Sequence, residues 1–189
     1  MGKKIILSLT LMLLAVFGHT QDFQKEGLLK AYLTISPGFM LENDSQPFYF
    51  HGNLEGYTSE NISLSGDSYF YLGDLNKEGL FRFHNSVLSG FNWHLLGQGQ
   101  ADLYIGAQPG VSFTRLRLQG KEQTIGINPL ASFNFGFNFF LTEYMHFFVH
   151  GKTVFGRHST YEAHSLNEFR LSAGLGFGLP LKRYIMPQK

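Results

Sequence analysis

The chain has no cysteine among its 189 residues. That absence excludes disulfides, cysteine-ligated zinc, a thiol nucleophile and a lipoprotein anchor, which needs a cysteine at its cleavage point. Charge is scarce as well. Only 15% of residues are charged, and 15 basic side chains nearly balance 14 acidic ones. So even a balance gives no footprint for a polyanion, and nucleic acid is not an expected partner. After the first twenty residues, no uninterrupted apolar run reaches the ~20 residues that a membrane-spanning helix needs. What is plentiful is glycine and phenylalanine, 22 and 20 residues, with aromatics at 16%. That is an aromatic-rich and charge-poor composition for a soluble domain.

Residues 1–20 read as a secretory signal peptide. Lys3 and Lys4 form a positive start, residues 5–17 an apolar stretch, and Gly18 and Thr20 offer small residues for cleavage. Cleavage after either fits; Thr20 is preferred and leaves Gln21. The exported chain then carries 13 basic and 14 acidic side chains. An N-terminal anchor is the other reading, but the apolar stretch is short for a span.

The rest of the chain alternates with a period of two. Residues 29–39 set Leu29, Ala31, Leu33, Ile35 and Phe39 against Lys30, Tyr32, Thr34 and Ser36. Residues 48–56, 62–72, 81–95, 103–113, 127–141, 145–155 and 169–179 repeat the pattern. The sharpest case sets Phe133, Phe135, Phe137 and Phe139 against Ser132, Asn134, Gly136 and Asn138. In the fourth segment, Phe81, Phe83, Val87, Phe91 and Trp93 fall on the apolar side, blemished by Asn85 and Ser89. Eight such segments predict eight strands, each with a different solvent on its two faces. Connections around residues 41–47, 73–79, 115–126 and 157–167 are longer than those around 58–61, 96–100 and 142–144. Alternating long loops and short turns are the habit of a membrane barrel.

A soluble exported barrel or sandwich would turn the apolar side inward and cover its surface with Lys, Glu and Thr. Here the polar side is rich in Gly, Ser, Asn and His, which suits a crowded interior. The apolar side is nearly free of charge, as hydrocarbon contact requires. The expected fold is therefore all-β, an eight-stranded antiparallel transmembrane β-barrel. Its expected parts are a signal peptide at 1–20, a periplasmic segment at 21–27, the barrel at 28–180 and a periplasmic tail at 181–189. Trp93 is expected in an interfacial girdle near the periplasmic rim.

The last strand carries a more specific mark, Ser172-x-Gly174-x-x-Phe177-x-Leu179. It resembles the C-terminal signal read by the barrel assembly machinery. With eight strands and a signal peptide, the chain resembles the small outer-membrane barrels of the OmpA, OmpX and OmpW type. The stretch "NEFRLSAGLGFGL" and cleavage before Gln also resemble uncharacterised outer-membrane barrels of Bacteroidetes. The resemblance implies a Gram-negative cell outer membrane, with lipid and lipopolysaccharide as partners, the assembly machinery during insertion, and a monomer. One departure is that residues 180–189 follow the signal; Pro180 is expected to stop strand pairing. That tail is too short for the peptidoglycan-binding domain of OmpA, so a tethering role does not carry over.

Eight strands enclose room for side chains or one small ligand; a wide porin-like channel needs about sixteen. The expected lumen network includes His51, Glu55, Asp67, Arg82, His84, Lys152 and Arg170, with Lys30, Asp102, His146 and His150. Four cations would then face three carboxylates. Hairpin counting sets His51 opposite Asp67 and Lys152 beside Arg170. Glu55 and Asp67 are expected to reach across towards that like-charged pair. Three functions follow. The first is a structural or surface-interaction barrel with a filled polar lumen, and no cofactor and no enzymatic activity. The second is a narrow channel or carrier for a small ligand, as the OmpW resemblance implies. The third is a lipid A-modifying enzyme, whose candidate residues are His158, Ser159, Glu162, His164 and Ser165 in the last long loop, or His84 with Ser86. Neither set has the His-x-Ser-Asn order of the deacylases. The weak metal candidates are His158, Glu162 and His164. Arg115, Arg117 and Lys121 are candidate contacts for surface anions such as lipopolysaccharide phosphates.

Overall fold

The computed structural model describes residues 25–76, 79–96, 99–117, 125–161 and 164–181. The expected signal peptide, most of the expected tail, Lys121 and Glu162 lie outside them. Eight strands follow one another: β1 (Leu28–Met40), β2 (Pro47–Tyr57), β3 (Ile62–Asp74), β4 (Phe81–His94), β5 (Ala101–Leu116), β6 (Gly126–Phe140), β7 (Met145–Gly156) and β8 (Glu168–Pro180). Each pairs antiparallel with its neighbours, and β1 pairs with β8 to close the barrel. This is the all-β, eight-stranded barrel that the alternation predicts. Closure leaves no sheet edge, so backbone groups need no water on either side.

The β1–β8 seam is laddered at its two ends, Leu28–Ala31 with Phe177–Pro180 and Gly38–Met40 with Glu168–Arg170. Between them, hydroxyl groups cross it. Thr34 Oγ1 donates to the Ala173 carbonyl and Ser36 Oγ to the Leu171 carbonyl, both at 2.8 Å. Pro180 does not lie beyond the strand: it is the last paired residue, opposite Leu28. A proline at a strand terminus forfeits only a bond the ladder no longer needs.

The apolar residues point outward. Leu33 is 68% exposed, Phe133 65% and Phe177 64%, with Ile35, Leu54, Leu64, Phe91, Trp93, Ile105, Phe135 and Val149 beside them. An exposed apolar surface encircling the molecule is unsuited to water and suited to hydrocarbon. Asn85, a blemish on this face, has a function in the ladder. The β3–β4 pairing ends at Tyr69–Ser86, and Asn85 Oδ1 accepts the next backbone N–H, from Tyr71, at 2.8 Å.

The inward set differs from the expectation at β4. A bulge between Phe81 and Phe83 shifts the register against β5. Phe81 turns inward and is fully buried, while Arg82, expected in the lumen, is exposed on the outer side. One extra residue in a strand reverses the facing of everything beyond it. Phe81 joins Met40, Leu88, Leu116, Leu130, Val154 and Leu166 in an apolar cluster inside the long-loop end. Inward glycines make room for inward rings. A Cβ at Gly136 would collide with the Tyr104 ring, and one at Gly176 with His146.

The outer face generates a stability prediction. Phe133→Arg places a cation in the middle of the apolar girdle and should lower the unfolding free energy in bilayers by about 2–4 kcal/mol. Urea titration of the reconstituted barrel measures this; an unchanged midpoint would mean that the girdle meets water.

Candidate functional site

The lumen gathers nearly all the chemistry of the chain. Among the described residues, its fully enclosed charges are Lys25, Lys30, Lys152 and Arg170 against Glu55, Asp67, Asp102 and Glu168. Four cations thus meet four carboxylates. Lys25 and Glu168 take part although the alternation did not single them out, and Arg82 does not. These groups sit in three layers.

At the short-turn end, Glu55 lies directly opposite Lys30 in the β1–β2 ladder. Their ion pair measures 2.8 Å. Glu55 also accepts from Asn92 Nδ2 at 2.8 Å and from Ser63 Oγ. Asp102 accepts from Tyr57 Oη at 2.7 Å and Asn138 Nδ2 at 3.0 Å. His94 links the two carboxylates, with Nδ1 at 2.9 Å from Asp102 and Nε2 at 3.3 Å from Glu55. Lys25, just before β1, closes the mouth. Its ammonium donates to the Leu96 carbonyl at 2.6 Å and lies 3.4 Å from Asp102. Burial lowers the Lys25 pKa from its ordinary value, and Asp102 opposes that shift.

In the middle layer, Asp67 is the centre. Oδ1 lies 2.7 Å from His51 Nε2 and accepts from Asn53 Nδ2 at 2.9 Å. Oδ2 accepts from Lys152 Nζ at 2.7 Å and Gln108 Nε2 at 2.8 Å. The β2–β3 ladder sets Asn53, not His51, opposite Asp67. His51 reaches it diagonally from two residues along, within the range of long side chains.

At the long-loop end, Arg170 lies between two phenol rings, 4.5 Å from the centroid of Tyr49 and 4.3 Å from that of Tyr69. Such stacking suits a guanidinium. Its Nε and Nη2 both lie 2.9 Å from Glu168 Oε2, and Nη1 donates to Ser86 Oγ at 2.7 Å. His84 meets the Tyr49 hydroxyl at 2.9 Å. Lys152 and Arg170 are ladder partners, and the counter-ions divide. Asp67 answers Lys152, but Glu168 answers Arg170, two residues away on the same face of β8. Glu55 does not reach across, because Lys30 is its immediate neighbour.

Ser, His and carboxylate groups meet twice inside the barrel. Ser63 Oγ lies 2.8 Å from His94 Nε2, with Asp102 on Nδ1. Ser172 Oγ lies 2.8 Å from His51 Nδ1, with Asp67 on Nε2. All six residues are buried, so neither serine is presented to an acyl group. Among the described loop candidates, Ser165 and His158 take other partners. Ser165 Oγ and Asn167 Nδ2 both donate to Glu42 Oε1 at 2.7 Å. His158 is buried, and its Nδ1 accepts from the backbone N–H of Thr160 and Tyr161 at 3.2 Å. Its partner in the metal reading, Glu162, lies outside the described residues. Among the described residues, the group of three metal-ligating side chains is instead His51, Asp67 and His150.

On the outer surface, Arg115 and Arg117 lie on the outward side at the end of β5. The bulge sets Arg82 beside them, since its neighbour Phe83 pairs with Arg115. Ser172 lines the lumen, Gly174 is half-buried, and Phe177 and Leu179 project outward near the short-turn rim.

No protein-family model and no curated protein matches this chain. Solved structures do. The N-terminal β-barrel domain of Pseudomonas aeruginosa OprF is 12% identical, with a TM-score of 0.58 over 84% of this chain and 100% of that one. Neisserial surface protein A is 10% identical, with a TM-score of 0.60 over 81% of this chain and 96% of that one. Ail, the attachment invasion locus protein of Yersinia pestis, solved with the heparin analogue sucrose octasulfate, is 12% identical. Its TM-score is 0.56 over 82% of this chain and 99% of that one. The fold is that of the small eight-stranded outer-membrane barrels. At these identities the likeness is one of architecture, and the lumen residues above belong to this chain.

Glu168→Gln should strand Arg170 without its counter-ion and cost about 3–5 kcal/mol. The shift in urea midpoint of the refolded protein measures it, and a neutral result would remove Glu168 from the network. In the last long loop, burial pushes the His158 imidazole below its ordinary 6.5, with nearby His164 adding to the shift. The docked loop thus binds fewer protons than the released loop below that value. Docking is fully favoured above pH 6.5 and weakens as pH falls below it. Amide protection of residues 157–161 should therefore drop on acidification; protection that rises would contradict this.

Proposed function

We propose that this chain is an integral outer-membrane barrel with a closed lumen that meets its partners through its loops and outer rim. The observation that carries this reading is the match of four buried cations to four buried carboxylates, arranged along the whole lumen. Ion pairs in all three layers tie the charged groups of the lumen to one another rather than to a conducting path. The apolar outer girdle supports a place in a bilayer, and the architecture shared with OprF, NspA and Ail supports the outer membrane. In that orientation the long loops face outward from the cell and the short turns face the periplasm, with Trp93 at the inner interface. The chain is exported by its signal peptide, which is cleaved. The barrel assembly machinery reads Ser172, Gly174, Phe177 and Leu179 before β8 closes on β1, and the product is a monomer. It is a binding and structural protein rather than an enzyme, consistent with the burial of both Ser–His–Asp arrangements.

The rim supports a contact with lipopolysaccharide. Arg82, Arg115 and Arg117 lie together on the outward side at the long-loop end, where phosphates of the outer leaflet would lie. Guanidinium forks suit phosphate oxygens. Ail, of the same architecture, has been solved with the polysulfated heparin analogue named above, which supports an anion-binding rim here.

Reconstitution in planar bilayers tests the closed lumen. The protein should insert without stable, discrete conductance steps. Reproducible openings would overturn the closed lumen in favour of a narrow channel or carrier.

A further inference from the structure

The middle layer contains a histidine whose hydrogen bonds do not close. Ser36 Oγ donates to the Leu171 carbonyl at 2.8 Å. Its one proton is then used, so Ser172 Oγ is the donor in the 3.0 Å contact between the two hydroxyls. Ser172 has no proton left for His51, and His51 Nδ1, 2.8 Å away, must donate to it. A neutral imidazole carries one N–H. His51 Nε2 is then a bare lone pair facing Asp67 Oδ1 at 2.7 Å. Two acceptors at that distance repel. The contact requires either a second ring proton on His51 or a metal ion.

A second, independent observation distinguishes these. His150 is 2% exposed. Its Nδ1 meets the Tyr32 hydroxyl at 3.0 Å, while its Nε2 is buried with no hydrogen-bond partner among the described residues. One ligand atom from each of His51, Asp67 and His150 lies within 4.8 Å of the others. A second proton on His51 satisfies only the first site. A metal ion bound by both imidazoles and the carboxylate satisfies both.

We propose that His51, Asp67 and His150 form a lumenal binding site for a divalent transition metal of the zinc class. Two imidazoles and one carboxylate are a zinc donor set. Each ring has its other nitrogen held by a hydroxyl, Ser172 for His51 and Tyr32 for His150. Such outer hydrogen bonds fix the orientation of metal-ligating histidines. Asp67 binds through Oδ1 and keeps Oδ2 for Lys152 and Gln108. Lys152 is the opposing charge. Its ammonium repels the ion, and its bond to Oδ2 holds it on the far side of the carboxylate. The ion displaces the proton from any protonated His51, so binding releases protons and weakens in acid. Because the layers above and below are packed, the metal enters as the barrel closes.

The full chain is refolded from urea into detergent with zinc chloride, then desalted, and retained zinc is counted by mass spectrometry. Folding is read separately, from the change in electrophoretic mobility on boiling. The wild type should retain one equivalent. His150→Ala should fold and lose it, with His150→Gln as the substitute if the alanine variant does not fold. Tyr32→Phe, which removes only the outer hydroxyl, should weaken binding by about 10–100-fold. A variant with both His158→Ala and His164→Ala should retain the metal. A folded wild type without zinc, equal retention by the His150 variant, or loss in the loop variant would each overturn the proposal.

Discussion

An eight-stranded barrel holds side chains and little else, so each charge that turns inward must be neutralised inside. That constraint orders the whole lumen. Lys30 meets Glu55 across a ladder, Lys152 meets Asp67 across the barrel, and Arg170 meets Glu168 along its own strand. The fourth pair depends on Lys25, which the chain supplies from before its first strand. Amides, hydroxyls and histidines then occupy the acceptor positions the cations leave. Desolvation offsets much of the attraction in such pairs, whereas removing one member is costly. The lumen charges therefore select one register and one closure more than they add to stability.

The outside obeys a looser rule. Hydrocarbon asks for apolar side chains without asking which ones, and the inside asks for complementary groups without fixing their positions. Chains only 10–12% identical can satisfy both with one architecture. Each must then solve its own lumen. In this chain the long-loop end is stopped by an aliphatic cluster over stacked tyrosines and Arg170, and the short-turn end by a lysine gate over His94.

Strand number, facing and loop alternation were legible because two solvents impose a period of two, and eight segments keep it. Most inward charges could be named for the same reason. Arg82 was expected in the lumen and lies outside it, because a bulge is an extra backbone residue that no side chain announces; with it went the inward turn of Phe81. Lys25 was hidden by its position before the strand, and Glu168 by standing one residue ahead of the segment where alternation was counted. Partner choice was the least legible. Counting along a hairpin brings Lys152 to Arg170 correctly, and Glu55 has a nearer cation in Lys30, its partner in the β1–β2 hairpin. The triad of His51, Asp67 and His150 draws on β2, β3 and β7. No spacing along the chain relates those strands; closure of the barrel does.

That the residue types of a nucleophilic triad occur twice inside this barrel shows what the lumen does to reactive groups. Ser63–His94–Asp102 has the right atoms at the right distances, yet Ser63 Oγ gives its proton to Glu55 and no surface reaches it. A filled interior converts acids, bases and hydroxyls into mutual partners and leaves them little to offer outside. Groups free to meet another molecule must then come from where the packing ends. Arg82 is the instructive case. The bulge that removed it from the lumen spared the interior a fifth cation against four carboxylates, and the same shift delivered it to the rim beside Arg115. Charge balance inside and basic character outside thus follow from one inserted backbone residue.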